Sequence, residues 1–344
     1  LGINSRIELL ASALLKATAT IDSSAAYKIP FAAQWLLPLL ILSLLPFMPA
    51  SPWHLVRQER RHEALIALTQ LSTSSCNAQN ALSNILETVD REQNTTHGSA
   101  PSILDIFRGP NLRRLMIAIM VFQLQPLSGS TLYISYSVYF FENLGLSSSS
   151  AFSMKLYLTI MGFIGTLLAW PIMSLYGRRP ILITGSAVLG GILFFIGALD
   201  LFPSHPAPAL YAQSTLLILA NFVYDLSTGP LCFVILCEMP SPRLRGVSIA
   251  ISNILVNITS VLCAIGIPFA LNKDEANWGG KIGFVFGMTG ALCTAWCWFC
   301  LPESKGRTFE ELDVLFERGV GSRHFEGYEV EKFHVEEEIG RDWL

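Results

Sequence analysis

Charge is what this sequence has least of. Of its 344 residues only 14% are Asp, Glu, Lys or Arg, where a soluble domain usually carries about 25%. That shortage disfavours a disordered protein, a nucleic-acid binder and an ordinary cytosolic enzyme. The net charge of −3 supplies no basic field for nucleic acid or an anionic surface. The Walker-type phosphate loop, the HExxH helix and the GxSxG elbow are all missing, which leaves an ATPase, a zinc protease or an α/β hydrolase without local support. No cofactor is implied. The seven cysteines are scattered. Cys293, Cys297 and Cys300 share one helical face at i, i+4 and i+7, yet they lack the His or carboxylate partners of a metal site, so they read as small buried apolar residues. No charged segment precedes a short apolar stretch with a cleavage site, so no signal peptide is visible.

Apolar sequence is what is there instead: 51% of residues are hydrophobic and the mean hydropathy is +0.47. A membrane helix needs about 20 mostly apolar residues to cross a core about 30 Å thick. Six windows without Asp, Glu, Lys or Arg are long enough: 29–56, 115–141, 156–177, 180–199, 246–272 and 282–302. A seventh, 201–237, is broken only by Asp225. Residues 7–16 are apolar but too short, with Glu8 inside. They read as a core helix or as the end of a span whose start is missing.

The loops carry an orientation. Arg57, Arg60 and Arg61 follow the first full span, Arg178 and Arg179 lie between the third and fourth, Arg243 and Arg245 between the fifth and sixth, and Lys305 and Arg307 follow the last. Alternate loops are poorer in positive charge. Positive residues prefer the cytoplasmic side, which places segment 57–114 and the C-terminal tail in the cytoplasm and 17–28 outside. Within 57–114, Leu65, Leu68, Leu71 and Leu82 suggest short amphipathic helices on the membrane surface. Residues 91–102 read as a flexible linker. Asn94-Thr95-Thr96 matches a glycosylation acceptor, expected unused on that side.

Five short signatures stand at the span ends: Pro49-Ala50-Ser51-Pro52-Trp53-His54-Leu55-Val56-Arg57, Gln125-Pro126-Leu127-Ser128-Gly129, Gly177-Arg178-Arg179-Pro180, the run Glu238-Met239-Pro240 through Gly246, and Pro302-Glu303-Ser304-Lys305-Gly306-Arg307-Thr308. In this order and spacing they resemble the sugar porter family of the major facilitator superfamily. Tyr27 to Trp35, Asn111-Leu112-Arg113-Arg114, Tyr224 to Pro230 and Glu311 to Glu317 are similar to fungal maltose permeases, the α-glucoside:proton symporters. The resemblance implies twelve spans in two halves, of which this chain matches the end of the fifth and then the sixth to the twelfth. The chain is therefore expected to be an N-terminally truncated, partial major facilitator fold, an all-α membrane protein. Its expected parts are 1–56, a remnant of the N-terminal half; 57–110, a cytoplasmic inter-half loop; 111–302, a C-terminal six-helix half; and 303–344, a cytoplasmic tail.

Some roles follow from the residues. A Gly-Arg-Arg turn puts Arg178 and Arg179 at the membrane edge, and Glu238 closes another span at the same depth. Arginine can hold a carboxylate bidentately, so Arg178, Arg179, Glu238, Arg245 and Glu303 are expected as gating charges, with topology marking alone as the alternative for the arginines. Asp225 lies thirteen residues before Glu238, about 20 Å along a helix and hence inside the membrane. An ionisable group there is costly and usually faces a cavity or a partner. The resemblance implies an acidic position near the sugar here, so Asp225 is expected as a sugar contact or gate, with proton coupling and a buried structural carboxylate as the other readings. Gly229-Pro230 should loosen that helix. Lys155, near the end of its span, can snorkel and is assigned no role.

Other roles come from the resemblance. It implies that Gln125 contacts sugar hydroxyls, with a helix–helix hydrogen bond as the alternative for Gln123 and Gln125. It implies that Tyr136 closes over the sugar and that Thr131 occupies a family Asn position. Asn257 completes the expected sugar site as the better placed of the pair Asn253 and Asn257. Two departures, Ala50 and Ser174, remove acidic residues that many family members carry. The expected function is proton-coupled uptake of maltose or a related α-glucoside across the plasma membrane, without covalent chemistry and incomplete in this chain. The expected partners are the α-glucoside, the proton and the lipid bilayer. The alternatives are a hexose or other sugar facilitator, a sugar sensor and a non-functional gene fragment; an intramembrane enzyme lacks a nucleophile or metal constellation.

Overall fold

The computed structural model describes residues 2–18, 21, 23–71, 75–95, 103–201, 207–241, 244–325 and 328. Sixteen α-helices and no strand occur among the described residues. In chain order they are α1 (Gly2–Thr18), α2 (Ala25–Ala33), α3 (Leu36–Leu44), α4 (Pro52–Arg57), α5 (Arg61–Leu71), α6 (Ser75–Thr95), α7 (Gly109–Leu127), α8 (Ser130–Ser135), α9 (Ser137–Asn143), α10 (Ser148–Tyr176), α11 (Arg178–Leu199), α12 (Ala207–Leu226), α13 (Thr228–Glu238), α14 (Arg245–Leu271), α15 (Ile282–Cys300) and α16 (Phe309–Glu317). Among the described residues six helical stretches are long and apolar enough to cross a membrane: Ala25–Phe47, Ser148–Tyr176, Arg178–Leu199, Pro208–Glu238, Arg245–Leu271 and Gly279–Cys300. The chain is a multi-pass, all-helical membrane protein.

It forms two compact units, one of residues 1–26 with 103–344 and one of 27–102. In the smaller unit, α4, α5 and α6 close a small core of Leu55, Val56, Ala64, Ala67, Ile85 and Val89, with Leu68, Leu82 and Leu86 against it. Leu71, at the end of α5, stays exposed, and α6 carries helix through Thr95, into the expected linker. Thr96 of the glycosylation motif lies outside the described residues.

In the larger unit α10 packs along α12, α11 along α15 and α7 along α14, and α1 lies on α10. Small residues make these approaches close, as expected where lipid provides no hydrophobic contrast between helices. A Cβ on Gly165 would fall 2.7 Å from the Phe222 carbonyl oxygen. One on Gly283 would strike the Leu193 carbonyl oxygen.

Two expected spans are broken. The window 115–141 is three helices rather than one. Pro126 lacks the N–H that a continuing helix needs, and Gly129 turns left-handed at φ 84°. The window 201–237 divides into α12 and α13 at Ser227, next to the Gly229-Pro230 pair.

Candidate functional site

The expected site residues gather mainly in two polar centres of the larger unit. The first lies where α8 breaks off. Gln125, on the last turn of α7, accepts a hydrogen bond through Oε1 from the Tyr224 hydroxyl of α12 at 2.9 Å. Its buried Nε2 has no hydrogen-bond partner among the described residues. Tyr224 packs edge-on against buried Tyr133, ring centroids 5.4 Å apart. Asp225, next in sequence, accepts at Oδ2 from Asn221 Nδ2 at 3.1 Å, and Asn221 also donates to the Leu158 carbonyl of α10 at 3.2 Å. Asp225, Asn221, Glu8 of α1 and Lys155 and Thr159 of α10 line a small cavity.

The remaining expected sugar residues are distributed around this line. Tyr136 sits at the break between α8 and α9 and donates its hydroxyl to the Ala264 carbonyl of α14 at 3.0 Å. Thr131 is half-buried on α8. Asn257 is exposed on α14 and donates to the Asn253 carbonyl of its own helix at 2.8 Å. Gln125 and Asp225 are thus linked through adjacent residues of α12, whereas Asn257 is occupied locally.

The second centre gathers the α10–α11 turn, the end of α13 and the segment after α15. Arg178 Nη2 stands 3.1 Å from Glu238 Oε1. Glu238 Oε2 accepts from the Ser304 hydroxyl at 2.6 Å. Glu303 caps the start of α11: its two oxygens accept the backbone N–H groups of Arg178 and Arg179 at 3.0 Å each, and Oε1 also takes those of Ser304 at 3.0 Å and Lys305 at 2.9 Å. A carboxylate at a helix N-terminus satisfies orphan donors and complements the helix dipole. Gly177 makes this geometry possible. Its φ is 89° and an added Cβ would lie 2.7 Å from Glu303 Oε2. The other two expected gating charges turn elsewhere. Arg179 donates through Nη2 to the Trp298 carbonyl at 2.8 Å, and Arg245 stacks on Phe309, 4.4 Å from the ring centre. Arg243 lies outside the described residues.

Beneath this centre, α16 begins with a capping box of Thr308 and Glu311. Its Asp313 pairs with buried Arg114 of α7, whose guanidinium also covers Phe316 at 4.5 Å. Arg113 donates to the Val320 carbonyl and the Ser322 hydroxyl, both at 2.8 Å. The segment after the last span is therefore fastened to α7.

Sequence reasoning missed Lys155, Glu8 and Ser304. Lys155 does not snorkel away: its ammonium donates to the Ile134 carbonyl. A signal was available in the spacing. Glu8 and Ser12 are an i, i+4 pair, as are Lys155 and Thr159, and Ser12 and Thr159 meet at 3.0 Å.

Long apolar helices, a half-buried carboxylate beside a broken helix, and a charged clasp at one end fit a secondary-transporter architecture. The family model described as "Sugar (and other) transporter" matches residues 8–316, and the chain belongs to that family. It is 35% identical over 317 residues to the general alpha-glucoside permease of Saccharomyces cerevisiae, covering 91% of this chain and 51% of that protein. The alpha-glucosides permease MPH3 of the same yeast is 33% identical over 320 residues, with 91% and 52% covered. The maltose permease MAL61 is 32% identical over 318 residues, with 91% and 51% covered. The chain thus spans about half the length of the curated relatives it matches. Among solved structures, the proton:xylose symporter XylE of the major facilitator superfamily superposes with a TM-score of 0.70 at 24% identity, over 90% of this chain and 64% of that one. The fold is that of the major facilitator superfamily, in part. These relatives are permeases, not enzymes.

Proposed function

We propose that the chain is the sugar-binding and gating part of a proton-coupled porter for α-glucosides such as maltose. The observation that carries this is Gln125: a half-buried side-chain amide, oriented by Tyr224 through its oxygen, whose buried nitrogen has no hydrogen-bond partner among the described residues. A sugar presents many hydroxyls, and its site wants a few placed amides, hydroxyls and aromatic faces. Gln125, Tyr224, Tyr133, Asp225 and Asn221 supply these together, with Thr131 and Tyr136 along the break beside them. The names of the yeast permeases support an α-glucoside over a hexose.

In this reading the Arg178–Glu238–Ser304 clasp and the Glu303 cap hold the cytoplasmic ends of α10, α11, α13 and α15 together. They loosen when the cavity opens inward. The C-terminal segment is cytoplasmic and the membrane is the plasma membrane.

The test is equilibrium binding of labelled maltose to the purified chain in lipid nanodiscs, with turanose and glucose as competitors. Maltose is expected to bind and turanose to compete better than glucose. Gln125→Ala should weaken binding roughly tenfold, the scale of one buried hydrogen bond to a neutral group. Equal binding by Gln125→Ala would remove that residue from the site. Stronger competition by glucose would overturn the α-glucoside assignment.

A further inference from the structure

Proton coupling needs a group that takes up and releases a proton inside the membrane. The cavity beside Asp225 has the composition for this. Glu8 reaches it from α1, Lys155 and Thr159 from α10, and Asn221 and Asp225 from α12, with Ile134 and Gly162 completing the wall. Two acids and one base therefore face one small space. Their formal charges sum to −1 when all three are ionised and to zero when one proton is added. Electroneutrality is worth most where charges are removed from water.

Lys155 is fixed in this arrangement by the backbone. α8 ends at Ser135, and carbonyls in the last turn of a helix lack an onward N–H. The ammonium of Lys155 takes the Ile134 carbonyl, at the negative end of the α8 dipole. Transporters use broken helix ends of this kind to hold cations; here the cation is tethered by its own side chain. Asp225 has one oxygen committed to Asn221, which leaves Oδ1 for a proton. Gly162 is required for the approach, since a Cβ there would collide with both Asp225 Oδ2 and Asn221 Nδ2. Other groups within electrostatic reach of Asp225 are the phenols of Tyr133 on α8 and Tyr224 on α12 itself. Glu8 is exposed on α1 and also lines the cavity.

We propose that Glu8, Lys155 and Asp225 form an intramembrane proton-binding site, in which two carboxylates share one tethered ammonium and a single proton is held on Asp225 Oδ1. The proton arrives from water and leaves to water; no other bond is made or broken. The site gives a place to the coupling assigned under the proton-coupled reading, and proton binding itself can be tested without sugar.

The experiment is infrared pH-difference spectroscopy on the purified full chain in detergent, with proton uptake counted by an indicator dye in weak buffer. The native chain is expected to show a protonated-carboxyl band on acidification and to take up one proton more than Asp225→Asn does. Asp225→Asn should lose that band and that one proton. The two flanking variants should act in opposite senses. Lys155→Met removes the compensating charge, so the band should persist through the alkaline range. Glu8→Gln leaves one carboxylate, Asp225, facing the cavity with one ammonium, Lys155, so the band should be lost at mildly acid pH. Lys155→Arg should titrate as the native chain does. A purely structural cluster would lower stability in all four variants without these opposed shifts. A band that survives in Asp225→Asn, or that titrates identically in Lys155→Met and Glu8→Gln, overturns the proposal. Maltose binding that is indifferent to pH in a chain showing the native band would sink the coupling assignment alone and leave the proton site standing.

Discussion

A carboxylate that accepts four backbone N–H groups is worth more as a cap than as a charge partner. Glu303 collects those of Arg178, Arg179, Ser304 and Lys305, and two of them begin α11. Glu303→Gln keeps one acceptor oxygen but replaces the other with a donor and removes the negative charge. The expected cost is about 1–3 kcal/mol, from unsatisfied donors and the lost dipole complement. It should appear as a lower unfolding midpoint in detergent. A cap can be told from a mere charge partner by Arg178→Gln, which leaves the cap intact and should cost less. An Arg178→Gln midpoint below that of Glu303→Gln would make the ion pair the stronger element. The residue scale is also where sequence reading succeeded unevenly. Glu238 and Arg178 were legible as partners because both close spans on the same side. Arg245 carries the same charge at the same edge, yet it stacks on Phe309. No spacing rule distinguishes an arginine that meets a carboxylate from one that meets a ring.

At the scale of elements, helices here approach through glycine and break through proline and glycine. Gly162 and Gly165 lie on the face of α10 that meets α12. Gly165→Leu must push α12 away by more than a side chain can absorb, because the obstructing atoms belong to the Phe222 and Leu226 backbone. The expected result is a loss of several kcal/mol, in the range of severe overpacking. In practice that means aggregation on size-exclusion chromatography, while Gly191→Leu, with open space around its Cβ, elutes as the native chain does. Identical behaviour of the two would show that α10 and α12 do not pack at this register. The spans themselves were legible because a run of some twenty uncharged residues has few other fates. Their breaks were legible only where Pro or Gly marked them. The end of α8 at Ser135 carries no such mark, so the carbonyl that holds Lys155 could not be foreseen. Without it a lysine near a span end reads as a snorkelling one.

For the whole molecule, the decisive property is where apolar surface remains uncovered. The helical stretch Ala25–Phe47 has a mean hydropathy of 1.8 over its most apolar window and none of that window is buried. Phe31, Trp35 and Phe47 are 64%, 68% and 83% exposed. About 25 cal/mol is gained for each Å² of such surface removed from water, so a stretch this long does not stay in water. The charge poverty of the sequence anticipated this, since a chain with so few charges cannot surround its apolar surface with polar groups. Which face of the stretch meets lipid was not legible, because apolar residues occur all round it and the helical period carries no contrast. A single-tryptophan variant retaining Trp35, reconstituted in bilayers with brominated acyl chains, should lose most of its fluorescence relative to plain lipid. A second variant retaining only Trp296, which is packed against the core of the larger unit, should lose much less. Equal protection of Trp35 would mean that protein rather than lipid covers the stretch. Equal quenching of both would mean that the larger unit is not closed around its core in the bilayer. The comparison therefore tests one requirement of a rocking transporter, a lipid-facing surface that is distinct from a packed interior.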